Sequence, residues 1–381
     1  MNLYNESVFL ETKKLLKELI QIPSITGNEK AICEFIIEKM EEFGIDEADL
    51  QYVQENRYNV VGRLKGGKPG KTILLTGHID VVSPGEGWTK EPFEATEEGG
   101  RIYGRGANDM KAGIAIILEC IKIAAQNREN FHGNLEIAFL CDEEAYSEGA
   151  IAFVKNSVKA DFGLAAEPEF EMIEIGAVGK VLISVLVEGK SCHGATPQLG
   201  INAIEEAAEF IVGLKQVKTP AHAKISSQPY VLLKARCGTD EYSIVVPDKC
   251  ELLINKHTVP GESVEDAIRT LEQVVIDLGL KAKFTFTIQK PFYPSFEVSE
   301  DNEDLVRLKK IIKEVTGNDA LVGYGNGVCD SNYLVPKGNI PTVCYGPAGG
   351  NMHAADEWVD IEKIKTVLKV YLEFLFSDKG E

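Results

Sequence analysis

The sequence predicts an α/β protein in which a domain with a mostly parallel sheet is split by an inserted α+β domain. Three observations point there. The chain has 381 residues, more than one hydrophobic core usually fills. Short apolar runs alternate with helix-periodic segments in the first part of the chain, the pattern of a parallel sheet flanked by helices. A second set of strand and helix patterns then intervenes, after which the first resumes.

Taken in order, apolar residues recur at helical spacing in Glu6–Ile20 and Glu29–Phe43, and Ser24-Ile-Thr-Gly between them reads as a turn leading into a helix. Strands are expected at Thr72–Gly77, Asn134–Leu140 and Phe162–Ala166, with helices Met110–Gln126 and Glu148–Ser157 in the intervals. The insert carries strand Val181–Glu188, helix Gly200–Gln216, strand Glu251–Lys256, helix Ser263–Leu278 and strand Lys283–Ile288, read as a two-helix, four-strand unit. After Lys290-Pro-Phe-Tyr-Pro come helix Glu303–Thr316, strand Pro341–Tyr345 and helix Ile361–Phe376. The expected domains are therefore 1–176 with 295–381, and 177–294.

Composition removes several function classes. A formal net charge of -19 repels phosphate backbones and anionic lipid, and no dense Lys/Arg cluster offsets it, so neither nucleic acid nor a membrane surface is an expected partner. Met1–Lys14 is polar and no apolar run is long enough to span a bilayer, so a cytoplasmic protein is expected. The eight cysteines are scattered without a CxxC pair and are expected to be free thiols.

Ligands of an open parallel sheet sit beyond the carboxyl ends of its strands, so polar residues there carry the most weight. His78 in Thr76-Gly-His-Ile-Asp is a candidate metal ligand, with Asp80 placed to hold its second ring nitrogen. Asp109 lies in the glycine-rich Gly104-Arg-Gly-Ala-Asn-Asp-Met-Lys-Ala-Gly, which matches neither a phosphate loop nor a dinucleotide fingerprint. Glu143 and Glu144 are adjacent carboxylates at a buried strand end, costly unless a cation or a shared proton compensates them. That suggests a division of labour, with Glu144 as ligand and Glu143 as general base. Glu167 and His353, in Gly350-Asn-Met-His-Ala-Ala-Asp-Glu, complete two histidines and three carboxylates. With one carboxylate shared, these make two sites of three protein ligands each.

Together with His193-Gly-Ala-Thr-Pro, these segments resemble the M20 metallopeptidases, a family that includes acetylornithine deacetylase, succinyl-diaminopimelate desuccinylase, aminoacylase and the glutamate carboxypeptidases. The resemblance covers almost the whole chain and implies a zinc exopeptidase-like catalytic domain split by a ferredoxin-like dimerisation and lid domain. It assigns one divalent ion to His78, Asp109 and Glu167 and the other to Asp109, Glu144 and His353, with Asp80 orienting His78. It also implies a cis peptide at Asp109-Met110, and a homodimer in which His193 reaches the partner's active site to stabilise the oxyanion. Zinc is the expected metal, with cobalt and manganese as alternatives.

The implied reaction is hydrolysis of the amide bond of a small N-acyl amino acid. Cleavage of a di- or tripeptide, or of a peptide's C-terminal residue, ranks second, and a non-catalytic metal- or peptide-binding protein third. Many relatives that bind a carboxylate place an arginine near the end of an insert strand. Here that strand ends in Lys256 and His257, and a single ammonium cannot make the same bidentate contact. Some relatives have a further arginine where this chain reads Gly327-Val-Cys-Asp-Ser-Asn-Tyr; Arg236 is the nearby arginine offered in compensation.

Overall fold

The computed structural model describes residues 3–377 apart from Ser157, Ser227, Asp240 and Tyr242. Ser157, the expected end of one helix, and the extreme termini of the first domain therefore lie outside the described residues. In chain order the elements begin with α1 (Glu6–Ile20), α2 (Lys30–Phe43), β1 (Glu47–Gln54), β2 (Arg57–Lys65), β3 (Lys68–His78), β4 (Thr96–Glu98) and β5 (Arg101–Tyr103). They continue with α3 (Ala112–Gln126), β6 (His132–Leu140), α4 (Glu148–Lys155), β7 (Phe162–Ala165), β8 (Ile173–Ala177), β9 (Lys180–Glu188), α5 (Ala203–Leu214), β10 (Tyr230–Cys237) and β11 (Lys249–Lys256). The remainder are α6 (Val264–Asp277), β12 (Lys283–Tyr293), β13 (Phe296–Glu297), α7 (Glu303–Thr316), β14 (Val322–Gly325), α8 (Ser331–Leu334), β15 (Thr342–Cys344), β16 (Gly349–Gly350), β17 (Trp358–Asp360) and α9 (Ile361–Phe376).

The chain forms two compact units, one of Met1–Gly176, Glu297–Gly323 and Cys329–Glu381, the other of Ala177–Phe296 and Tyr324–Val328. The first is built on a nine-stranded mixed sheet of order β1-β2-β6-β3-β7-β15-β8-β13, with β14 beside β8. Its centre, β6-β3-β7-β15, is parallel, while β1, β2 and β8 pair antiparallel at the flanks. The fold class is thus α/β with a mixed sheet whose parallel part carries the site.

Helix α3 supplies much of the core. Every residue from Ala112 to Ile121 is buried, and the helix packs on β3 and against α1, α2 and α9. Each fully buried Ile or Leu there contributes roughly 1.5–3 kcal/mol. The helix begins at Ala112 rather than at Met110, because Asp109 (φ -122°, ψ 96°) and Met110 (φ -134°, ψ 34°) are not helical and the bond between them is cis. Asn5, Asn302 and Asp360 cap α1, α7 and α9 by accepting backbone N–H groups, which accounts for the sharp starts of these helices.

The second unit is a four-stranded antiparallel sheet of order β10-β11-β9-β12 with α5 and α6 on it, the order of a split βαβ fold. Its core joins Val181, Ile183, Val185 and Val187 of β9 to Phe210 and Leu271 of the helices. Cys237 and Cys250 are directly opposite in β10 and β11 and form a disulfide, correcting the expectation that all cysteines are free thiols. Scattered spacing conceals the pair because cross-strand register, not sequence distance, brings it together.

Candidate metal centre

The parallel strands deliver the site. β3 ends on His78, β6 leads through Cys141 and Asp142 to Glu143 and Glu144, and β7 leads to Glu167, so three strand ends converge at one edge. Asp109 comes from the turn before α3, and His353 from the loop between β16 and β17 with φ 59°. All of these residues belong to the first unit.

The side chains meet closely. His78 Nε2 lies 2.9 Å from Asp109 Oδ1, 3.8 Å from Glu167 Oε2 and 3.9 Å from Glu143 Oε2. His353 Nε2 lies 3.1 Å from Asp109 Oδ2 and 3.0 Å from Glu144 Oε2. The two oxygens of Asp109 thus face one imidazole each. His78, Asp109 and Glu167 gather as one triad of donors, and Asp109, Glu144 and His353 as another.

Electrostatics show how strained this donor set is without countercharge. Burial pushes the Glu143 carboxyl well up, with neighbouring Glu167 adding to the rise against His78's opposing pull, and burial does the same to Glu167. Burial also acts to raise Asp109, but hydrogen bonds from His353 and His78 hold it below the ordinary carboxylate range. Hydrogen bonds to Asp109 and Glu144 bring His353 up to about 10. Divalent cations fit such a set of nitrogen and oxygen donors.

Asp80 departs from its expected role. It is the main-chain carbonyl of Asp80 that lies 2.9 Å from His78 Nδ1, while the nearest carboxylate oxygen is 3.9 Å away. The carboxylate instead accepts the N–H groups of Glu143 (3.1 Å) and Glu144 (3.3 Å) and the Thr26 hydroxyl. It pins the turn that carries both glutamates.

Glu357 closes the His353 segment, where the sequence suggests no role for it. Fully buried, its carboxylate accepts N–H groups from Gly106 (3.1 Å), Asn108 (2.9 Å) and Asp109 (3.0 Å) and pairs with the buried Arg105 guanidinium. These are the amides a phosphate would need, so the glycine-rich loop is filled from within the protein. Gly106 takes φ 80°, and a Cβ on Gly113 would lie 2.3 Å from the Ala166 carbonyl oxygen, so both glycines serve close packing. Only a long-range contact reveals Glu357; the one available signal is its place four residues after His353.

Asp330 is a second residue without an expected role. It is buried, neither carboxylate oxygen has a close hydrogen-bond partner, and burial pushes it up to about 7. Asn332 Oδ1 accepts the Cys329 N–H at 2.8 Å, binding it to its own turn.

In the second unit, His193 is exposed, and its Nδ1 accepts the Ala195 N–H at 3.0 Å. Lys256 is fully buried, with Nζ 3.1 Å from Glu262 Oε2 and donating to the carbonyls of Gln228 and His257. It is a structural ion pair rather than a replacement for an arginine. Arg236, on β10, is exposed.

Residues 74–377 match the model of Peptidase family M20/M25/M40. The chain is 26% identical over 380 residues to a succinyl-diaminopimelate desuccinylase of a Nitratiruptor species, covering 97% of this chain and 100% of that one. Its fold is similar to a tripeptidase from Staphylococcus aureus subsp. aureus Mu50 (TM-score 0.77, 23% identity, 97% and 98% of the two chains). It is likewise similar to Bacillus subtilis YxeP, described as a dinuclear metal binding peptidase from the M20 family (TM-score 0.70, 19% identity, 98% and 99% covered). The match spans both ends of the site, from the strand leading to His78 through His353: the chain belongs to peptidase family M20/M25/M40 and is a metal-dependent hydrolase of amide C–N bonds.

Proposed function

We propose that the protein removes the acyl group from an N-acyl amino acid, with Glu143 as the general base and acid. The observation that carries this is Glu143 itself: a largely buried carboxylate 3.9 Å from His78 Nε2 that gathers with His78 and Glu144, beside the two triads that share Asp109. His78, Asp109 and Glu167 would hold one divalent ion and Asp109, Glu144 and His353 the other, zinc being the metal we assign. Bound there, the ions polarise the amide carbonyl and make water more acidic. Glu143 takes the proton of the attacking water and returns it to the leaving nitrogen. Asp80 fixes the backbone from which Glu143 projects.

The insert is assigned to dimerisation, and His193 to hydrogen bonding the oxyanion in the partner's site. Supporting a dimer, β10 is an edge strand that exposes Val231 (45%) and Leu233 (54%), an apolar edge well suited to pairing. Sedimentation tests this; a monomer would remove the role given to His193. No helix of the described residues is long and apolar enough to cross a membrane. We assign the protein to the cytoplasm; subcellular fractionation tests that assignment.

Cleavage of short peptides is the second reading. Lys256 and Asn332, in the two segments where relatives carry arginine, are both engaged internally, so neither offers an acidic acyl group a bidentate partner. A panel of N-acetyl, N-succinyl and N-formyl amino acids beside di- and tripeptides separates the two, since each reading predicts release confined to its own group.

A further inference from the structure

Outside the catalytic donors, Glu174, Cys329 and Cys344 bring one ligand atom each to within 4.8 Å of one another. Cys344 is on β15 and Glu174 directly opposite it on β8, so cross-strand register sets both side chains on one face. Cys329 comes from the turn before α8, its Sγ 4.0 Å from that of Cys344. Two thiolates on one tetrahedral zinc-like ion, at about 2.3 Å each, stand roughly 3.8 Å apart, so little movement is needed.

Glu174 adds an independent observation. It is 7% exposed, and its carboxylate stands within reach of both sulfurs. A carboxylate so largely withdrawn from water is costly to ionise, and a cation held jointly with two thiolates would offset that cost. Ser331 Oγ, 3.6 Å from Cys344 Sγ, stands beside a fourth position.

We propose that Glu174, Cys329 and Cys344 form a further metal site, distinct from the catalytic pair, for a thiophilic divalent cation of the zinc class. Sulfur ligands separate it chemically from the nitrogen and oxygen donors of the catalytic centre. None of its residues is among the assigned catalytic ligands, although Cys329 lies close enough to Glu167 for their charges to interact.

The test uses full-length protein, stripped with a chelator under reducing conditions and titrated with Co(II). A thiolate-to-cobalt charge-transfer absorption should appear in the near ultraviolet and saturate with one ion per chain. Cys344→Ser and Cys329→Ser should each abolish it and bind one Co(II) fewer per chain, while Asp109→Asn should retain it. Glu174→Gln should weaken the cobalt affinity behind this band by about tenfold or more. Circular dichroism checks that each variant is folded; Cys329→Ser, at the more accessible thiol, serves should Cys344→Ser fail to fold. Absence of the band in folded wild-type protein, or its persistence in both cysteine variants, overturns the proposal. So does a Cys329–Cys344 disulfide, found by differential alkylation and mass spectrometry in protein purified without oxygen.

Discussion

Replacing Glu357 by glutamine should destabilise the protein and loosen the metal centre together. Its carboxylate holds the N–H groups of Gly106, Asn108 and Asp109 and faces Arg105, whose side chain is 1% exposed. Glutamine keeps the shape, and its oxygen can still accept from the loop, but Arg105 is left as a buried cation facing a neutral amide. Removing one partner of a buried pair costs about 3–5 kcal/mol. At about 2.1 cal/mol/K of unfolding entropy per residue, each kcal/mol is worth roughly 1–2 °C in a chain of 381 residues, so Tm should fall by about 3–10 °C. Thermal unfolding of chelator-stripped protein measures this without any contribution from bound ions. The same loop carries Asp109, which faces both histidines, so metal affinity should fall by about 10–100-fold, as when other outer-sphere supports are removed. A variant that unfolds within about 2 °C of wild type and binds zinc equally well would refute the reasoning.

In the second unit, Glu262→Gln strands the buried Lys256 ammonium and should cost about 3–5 kcal/mol in chemical denaturation, while the double variant K256M/E262L should recover most of that loss; equal stabilities for single and double variants would contradict the ion-pair assignment. Glu119 on α3 is pushed above its ordinary 4.5 by burial, against the pull of Lys122, with Glu11 adding to the rise. Native protein then holds this proton to higher pH than unfolded protein does, so its contribution to stability is present below about pH 4.5 and is lost as pH rises through the native value. Glu119→Gln should therefore gain Tm relative to wild type as pH rises from 4.5 toward neutrality, and a gap that stays constant across this range would show that Glu119 is not the titrating group. Asp80→Asn weakens the hold on the Glu143 and Glu144 amides and should lower kcat by about tenfold or more with little loss of zinc, measured by steady-state kinetics beside metal analysis.

The parts of the fold legible in the sequence are those whose signals are local. Helices α1, α7 and α9 begin at Asn5, Asn302 and Asp360, where a capping side chain and an amphipathic period coincide. The buried strands β3, β6 and β7 stand out as apolar runs, which locate their ends and hence His78, Glu143, Glu144 and Glu167. Strand β10 is not legible because it is an exposed edge with little alternation, nor are β4, β5, β16 and β17, because two or three residues are too few to show a period. The apolar pattern places the start of α3 two residues early, since it continues backward through the non-helical turn at Asp109 and Met110.

Within the site, residue types at strand ends are visible in a sequence, but the hydrogen bonds supporting them are not. Glu357 reaches the 106–109 loop across some 250 residues, and the Asp80 carboxylate turns toward backbone amides rather than toward His78. Lys256 stands at the strand end where many relatives carry an arginine, and its burial against Glu262 depends on a turn whose course the sequence does not disclose. Each is a nonlocal satisfaction of a buried polar group, which periodicity cannot encode.

The central claim, metal-dependent amide hydrolysis with Glu143 as base, is tested most directly by assaying N-acyl amino acids and short peptides with zinc-loaded wild type, chelator-stripped wild type and zinc-loaded Glu143→Gln. The account predicts release from N-acyl amino acids by the loaded wild type alone, with the variant binding as much zinc as wild type. Substantial turnover by the loaded variant, or by the stripped protein, would contradict it.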